Sequence, residues 1–149
     1  NDMHRWNLIE KEENIYTIDH EYACLSIIGV DIANYMNENS FYFGDSGYIG
    51  LKEEEIDLDF YYNYYLEYIK EMKNSFKNLG KEFEEYLFTI SSRKYYYNLH
   101  RFTNFFWFLF CVINLDFADG KPGDTLRYGF DRLKYAKKME ELSNKYSCE

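Results

Sequence analysis

Asn1-Asp2-Met3-His4-Arg5-Trp6-Asn7 stands at the start of the chain and places an aspartate five positions before an asparagine. Asp19 follows Asn7 by twelve residues, at the end of a short apolar run. Transfer of a phosphoryl group to a hydroxyl needs an acid that orients or deprotonates the hydroxyl. It also needs an amide and a second acid that hold Mg²⁺ on the phosphates. This spacing therefore predicts Asp2 as the catalytic base, and Asn7 and Asp19 as magnesium ligands.

The composition predicts a folded, acidic protein. The 149 residues are 46% hydrophobic and 21% aromatic, which is enough apolar surface for one domain with a core. The formal net charge of −9 argues against nucleic-acid binding, since such surfaces need basic stripes. Cys24, Cys111 and Cys148 are widely spaced and predict neither a disulfide framework nor a zinc site. A reducing, cytoplasmic location is therefore expected.

Hydrophobic periodicity predicts a small hairpin followed by helices. Short extended runs at 6–10 and 15–18 flank a polar turn, and the three glycines at 44–50 predict a loop. Helices are expected at 31–39, at 60–76 with Asp57 or Asp59 as the cap, at 81–90, at 94–114 and, after a break at 119–123, at 125–145.

Two of these helices differ in their expected burial. The helix at 94–114 is apolar nearly all round from Phe105 onward, so it is expected to be the central, buried helix. Its most apolar run, 105–113, is well short of the ~20 residues that a membrane span needs, and no transmembrane segment is expected. The helix at 125–145 is polar enough to be expected on the surface.

Several motifs, in order along the chain, resemble the choline/ethanolamine kinase family. The family carries His-Asn-Asp-x₄-Asn, then Ile-Asp-Phe-Glu-Tyr-Ala/Ser, then Asp-Ile-Ala/Gly-Asn, and later aromatic-aromatic-Trp-x-x-Trp. The matching stretches here are Asn1-Asp2 with Asn7, residues 18–23, residues 31–34 and residues 105–110. Phe130-Asp131 and the basic helix after it also resemble the C-terminus of the family.

The resemblance implies an α+β, mainly helical fold, namely the C-terminal lobe of a protein-kinase-like fold with a short β-hairpin followed by a helical bundle. Residues 1–149 would be the catalytic and substrate lobe, and the nucleotide-binding N-terminal lobe would precede residue 1. The resemblance further implies Mg²⁺, ATP as cosubstrate with ADP as product, choline or ethanolamine as acceptor, and a homodimer.

The resemblance also assigns roles to further residues. Glu21, two positions beyond Asp19, would share its face on a strand and reach a second ion, although a structural pair with an arginine is an equal alternative. Asp31 would brace the catalytic loop rather than react. His4, Glu38, Phe43, Trp107 and Phe110 would line the substrate site, where aromatic faces and a carboxylate hold an ammonium group. Periodicity alone would make Trp107 and Phe110 core residues.

The chain departs from the family pattern at four positions. Phe110 stands where the family usually has a second Trp, Phe43 where it has Tyr, His4 where it has Gln, and His20 where it has Phe. These changes leave the choice between choline and ethanolamine open, because Phe is a weaker cation–π partner than Trp.

The expected activity is phosphorylation of choline to phosphocholine, a step toward the corresponding phospholipid. Three alternatives stay open: an ethanolamine kinase, another small-molecule kinase of the aminoglycoside phosphotransferase type, and a non-catalytic helical module. The last would bind a partner through its Tyr-rich face and would present a large exposed aromatic patch.

Overall fold

The computed structural model describes residues 2–115 and 122–146. Within them lie two antiparallel β-hairpins and five helices, so the predicted α+β, mainly helical fold is confirmed. In chain order the elements are β1 (Leu8–Lys11), β2 (Asn14–Thr17), α1 (Val30–Glu38), β3 (Phe41–Gly44), β4 (Gly47–Leu51), α2 (Leu58–Ser75), α3 (Lys81–Ile90), α4 (Arg93–Ile113) and α5 (Pro122–Lys145). No helix among the described residues has the length and apolarity to cross a bilayer.

The first hairpin brings the two ends of the candidate metal site together. β1 pairs with β2 from Leu8↔Thr17 to Lys11↔Asn14, which confirms the predicted hairpin with slightly shifted bounds. Just outside the strands, the Ile18 amide donates to the Asn7 carbonyl at 3.0 Å. Asn7 and Asp19 therefore flank the open end of one hairpin, although eleven residues separate them in sequence.

The prediction of a loop at 44–50 is wrong, because this segment belongs to a second hairpin. Gly44 pairs with Gly47 around the two-residue turn at 45–46, and Phe43 faces Tyr48 across the strands. Gly47 adopts a φ of +123°, which L side chains rarely reach, so glycine is needed at this tight reversal. The glycines thus mark the turn and one strand rather than an irregular loop.

The predictions for the middle helices are confirmed. α2 begins after Asp57, whose side chain accepts a hydrogen bond from the Phe60 amide at 2.9 Å. Asp59 is not the cap but forms an ion pair with Arg93 at 2.7 Å, which ties α2 to the start of α4. α3 has the predicted bounds.

The expectation of a buried apolar run at 105–113 is wrong. Phe105, Phe106 and Ile113 are 47%, 48% and 74% exposed, whereas most of the buried residues of α4 lie in its N-terminal half. Polar residues occupy that core: His100 Nδ1 lies 2.6 Å from Asn37 Oδ1, and Asn37 donates to Thr103. Paired polar groups can be buried at low cost, while no described element covers the outer face of Phe105 and Phe106.

The expected surface position of the last helix is also wrong. α5 packs along α4, and its Arg132, Tyr135 and Met139 are fully buried. Of the predicted break at 119–123, residues 119–121 lie outside the described residues. The helix begins at Pro122, a residue suited to the first helical turn because its missing N–H needs no partner there.

Gly29 is a site where a side chain should not be tolerated. Its φ is +94°, and an added Cβ would lie 2.8 Å from Leu99 Cδ1 and 3.1 Å from a Tyr65 ring carbon. Because both neighbours are buried, we expect Gly29→Ala to lower the free energy of unfolding by about 1–3 kcal/mol. Thermal unfolding measures this loss. Gly123→Ala is the control, since its Cβ would meet open space, and equal melting temperatures for the two variants would contradict the packing described here.

Candidate active site

The segment from Asp2 to Asn7 is held by its own hydrogen bonds and by α1. Asn7 donates from Nδ2 to the Asp2 carbonyl at 3.0 Å, and its amide N–H donates to the His4 carbonyl at 3.0 Å. From α1, Asn34 donates to the Met3 carbonyl at 3.3 Å. Asn1 lies outside the described residues. The backbone around Asp2 is therefore fixed from both sides, as a residue that must meet a substrate requires.

The Asp2 carboxyl group is largely shielded from water. Its side chain is 18% exposed, and Oδ2 lies 3.6 Å from His4 Nε2. Burial raises the pKa of Asp2, the charge on Asp19 adds to this, and His4 and Arg132 work in the opposite direction. A carboxyl group with a raised pKa is a better proton acceptor once ionised.

A small cavity of about 190 Å³ lies on one side of Asp2. Asn7, Asp19 and Asp31 line it together with Asp2 and Thr17. Since Asn7 Nδ2 is held by a backbone carbonyl, Asn7 has only its Oδ1 to offer a cation. Asp19 is exposed and has a φ of +59°. The structure thus brings the two predicted magnesium ligands and the predicted base to one cavity.

These donors fit Mg²⁺. The ion prefers oxygen ligands and is usually held by one or two carboxylates together with substrate phosphates and water. The described residues contain no group of three or more His, Cys, Asp or Glu side chains that could hold a metal by themselves. A site with one amide and one carboxylate is therefore suited to an ion that arrives with a nucleotide.

Glu21 does not stand on a strand, so the geometric reason for pairing it with Asp19 is wrong. β2 ends at Thr17, and Glu21 is exposed in a turn beside Tyr22, to which it is hydrogen-bonded. The ion pairs among the described residues include none between Glu21 and an arginine. Its role as a metal ligand stays a prediction.

Asp31 lies in the first turn of α1, exposed and facing the small cavity. Its supporting role also stays a prediction. Asn34, one helical turn further along, does hold the loop through Met3, and sequence reasoning did not single it out. The available signal was its place in the 31–34 motif, on the same face as Asp31.

A second, larger cavity of about 840 Å³ also borders Asp2. All five predicted substrate residues line it: His4, Glu38, Phe43, Trp107 and Phe110. Asp2 also contributes to its lining, so the candidate base faces both cavities. Residues that sequence reasoning missed complete the lining, chiefly Tyr22, Tyr48, Asp124, Thr125 and Tyr128.

Two aromatic clusters form much of this lining. In the first, the Trp107 and Phe110 rings lie 5.1 Å apart, and Tyr22 packs edge-on to them at 6.4 and 6.0 Å. In the second, Phe43, Tyr48 and Tyr128 have mutual ring separations of 5.2–5.5 Å. Contacts at these distances are favourable. Trp107 and Phe110 are therefore cavity residues rather than ordinary core.

Glu38 is tied to a buried arginine. Its Oε1 accepts a hydrogen bond from the Tyr128 hydroxyl at 3.0 Å and forms an ion pair with Arg132. Arg132 has no solvent exposure, donates to Asn104 Oδ1 at 3.0 Å and lies 4.3 Å from the Phe41 ring centroid. Burial lowers the pKa of Arg132 to about 9, with the charge of Asp2 acting against this. The guanidinium is thus still protonated at neutral pH, and it compensates the charge of Glu38.

Asp131 anchors α5 to the second hairpin. The Tyr48 hydroxyl donates to Asp131 Oδ2 at 2.7 Å, and burial followed by this bond raises the pKa of Tyr48. This contact positions Tyr48 and, through the cluster, Tyr128 on the cavity. This hydrogen bond explains the presence of an aspartate in the Phe130-Asp131 motif, and the sequence alone did not predict it.

Comparison of the sequence with models of known protein families gives one match. The family model described as choline/ethanolamine kinase matches residues 1–142, which is nearly the whole chain. Comparison with curated proteins and with solved structures gives no significant match. The matched span includes the loop that carries Asp2 and every predicted residue of the two cavities. The chain belongs to the choline/ethanolamine kinase family.

Proposed function

We propose that the protein transfers the γ-phosphoryl group of ATP to the hydroxyl of choline. The single observation that carries this is the position of Asp2 in the walls of both cavities. One cavity holds oxygen ligands suited to Mg²⁺, and the other combines aromatic rings with carboxylates. An acceptor in the aromatic cavity would place its hydroxyl beside Asp2, which also borders the cavity of the candidate magnesium ligands.

In this mechanism each group of the chain has one task. Asp2 accepts the hydroxyl proton as the oxygen attacks phosphorus. Asn7 keeps the Asp2 backbone in place with Nδ2, which leaves its Oδ1 as the atom that would bind the metal. Asp19 would supply the carboxylate ligand. Mg²⁺, when bound with the nucleotide, supplies positive charge that offsets the charge on the phosphates.

The aromatic lining favours choline over ethanolamine. A trimethylated ammonium cannot donate hydrogen bonds, so its binding depends on aromatic faces and on carboxylate charge. Each cation–π contact is worth about 0.5–2 kcal/mol. Six Phe, Tyr or Trp side chains of the described residues line the cavity, so a Phe in place of a Trp at position 110 leaves ample aromatic surface.

We further propose that this chain is the C-terminal, substrate-binding lobe and that another part of the enzyme closes over the nucleotide. ATP-dependent kinases use a Gly-rich loop above the phosphates and a lysine on a neighbouring strand. The described residues contain two short hairpins and neither of these parts. Asn7 and Asp19 of this chain would hold the Mg²⁺ that is bound to the phosphates.

A panel of acceptors tests the proposed function. The intact enzyme is given ATP and Mg²⁺ with choline, ethanolamine or an aminoglycoside, and ADP release is followed. We expect the highest kcat/KM with choline. Turnover with ethanolamine alone would mean that Phe43 and Phe110 have reshaped the cavity, and turnover with the aminoglycoside alone would contradict the proposed acceptor.

A binding module is the second candidate, because α4 does present an exposed aromatic face. Phe102, Phe105 and Phe106 are each close to half exposed. This face lies outside the larger cavity, so it is compatible with catalysis. Thermal unfolding with and without Mg-ADP plus choline separates the two candidates: ligand-induced stabilisation is expected of the kinase and not of a silent module.

Trp107→Ala tests the aromatic recognition. Because Trp107 is the strongest cation–π partner in the cavity, we expect KM for choline to rise about fivefold or more, with a smaller change in kcat. Steady-state kinetics measure this. Phe105→Ala is the matched control, as Phe105 stands on the same helix but outside the cavity. An unchanged KM with a lowered melting temperature would make Trp107 a purely structural residue.

A further inference from the structure

Among the described residues, three carboxylates line the larger cavity, and they are not equivalent. Asp2, Glu38 and Asp124 all contribute to its walls. Sequence reasoning assigned the ammonium-binding charge to Glu38. The structure shows that Glu38 already has a full positive partner in Arg132 and a hydroxyl donor in Tyr128. Its charge at the cavity is therefore largely cancelled.

The other two carboxylates, Asp2 and Asp124, have different roles in the proposed mechanism. Asp2 faces both cavities and is the group placed to accept the hydroxyl proton, so it must lie at the oxygen end of the acceptor. In choline the ammonium is two carbons away from that oxygen. A second carboxylate in the lining is then needed to attract the ammonium group, because Asp2 cannot serve both ends at once.

Asp124 meets this need. It lies in the first turn of α5, partly exposed, next to Thr125 and one helical turn before Tyr128, both of which line the same cavity. Among the described residues it has no ion-pair partner. Among the described residues that line the cavity, the only basic side chain is that of His4, and it lies 3.6 Å from the Asp2 carboxylate.

We propose that Asp124 supplies the charge that recognises the ammonium group of the acceptor, while Glu38 serves to hold Arg132. This inference rests on the proposed function. It assigns a specificity-determining role to a residue outside the motifs that carry the family resemblance. Asp124 attracts the cation electrostatically, and the aromatic rings surround its methyl groups.

The test uses choline and its uncharged isostere 3,3-dimethylbutan-1-ol, in which carbon replaces nitrogen. In the intact enzyme, Asp124→Asn is expected to raise KM for choline about tenfold and to leave KM for the isostere unchanged, because only the charged acceptor loses an attraction. The kcat for choline should change little. Asp45→Asn, which removes an exposed carboxylate from the nearby hairpin turn, is the control and should behave as wild type.

Each outcome has a distinct meaning. Equal KM values for choline in Asp124→Asn and Asp45→Asn, with an active wild-type enzyme, would overturn the role of Asp124 and leave the proposed function intact. A rise in KM for both acceptors would also overturn it, since that indicates a change in shape rather than charge. A wild-type enzyme that turns over neither acceptor would contradict the proposed function and this inference with it.

Discussion

Asp2→Ala is expected to lower kcat by two to four orders of magnitude, in line with the ~10²–10⁴-fold contribution of general acid–base catalysis. In the proposed mechanism the loss falls on kcat, because Asp2 would act on the hydroxyl proton in the transition state, whereas the aromatic clusters would bind the acceptor in the ground state. The Kd of choline, measured by calorimetry, should therefore change little. The substitution keeps the Asp2 carbonyl that accepts from Asn7, and it removes the 3.6 Å contact between the Asp2 carboxylate and His4 Nε2.

The pH dependence of the catalytic rate is a second test of the role of Asp2. Only the ionised carboxylate accepts a proton, and burial raises the pKa of Asp2. The rate should therefore rise as the pH increases through that pKa, and this acid limb should lie above the ~3.9 of an unperturbed aspartate. In Asp2→Asn the limb should disappear from the residual rate. A variant at Asp2 with wild-type kcat, or with an unchanged acid limb, would show that another group is the base.

Arg132→Met is expected to lower the free energy of unfolding by about 3–5 kcal/mol, the usual cost of removing one partner from a buried ion pair. The side chain has no solvent exposure, and its guanidinium bonds to Glu38, Tyr128 and Asn104. Methionine keeps most of the volume but leaves those polar groups without their donor. Chemical denaturation measures the loss, and the control is Arg127→Met, which removes an exposed arginine from the same helix.

A double-mutant cycle isolates the pair itself. Glu38→Gln alone leaves the buried Arg132 charge uncompensated, so it should also be destabilising. When both residues are replaced, no uncompensated charge remains, and the double variant should lose less stability than the sum of the two single changes. Strict additivity, or an Arg132→Met variant as stable as Arg127→Met, would show that the pair does not support the wall of the cavity.

The candidate site was predictable where its residues are close in sequence or joined by one hairpin. Asp2 and Asn7 lie in one loop, and the β1–β2 hairpin returns the chain to Asp19. Trp107 and Phe110 share a helix face by their spacing alone. For these residues, local geometry determines the arrangement, and the family motifs supply the chemistry.

The parts of the site and fold that were not predicted depend on contacts between elements that are distant in sequence. Hydrophobic periodicity does not reveal such contacts. Arg132 is 94 positions from Glu38, and a polar-looking α5 gave no sign that it buries an arginine. The exposed half of α4 was mistaken for core because apolar composition predicts burial only where another element covers it. Glu21 was placed on a strand that ends earlier, at Thr17.

The activity proposed for this protein is phosphorylation of choline with Asp2 as the base. Its most direct test is ³¹P NMR of the intact enzyme incubated with ATP, Mg²⁺ and choline, beside the same mixture with the Asp2→Ala variant. We predict that the phosphomonoester resonance of phosphocholine grows as the γ-phosphate resonance of ATP declines, and that the variant gives almost none. ATP hydrolysis to inorganic phosphate without phosphocholine, or equal phosphocholine from both proteins, would contradict the account.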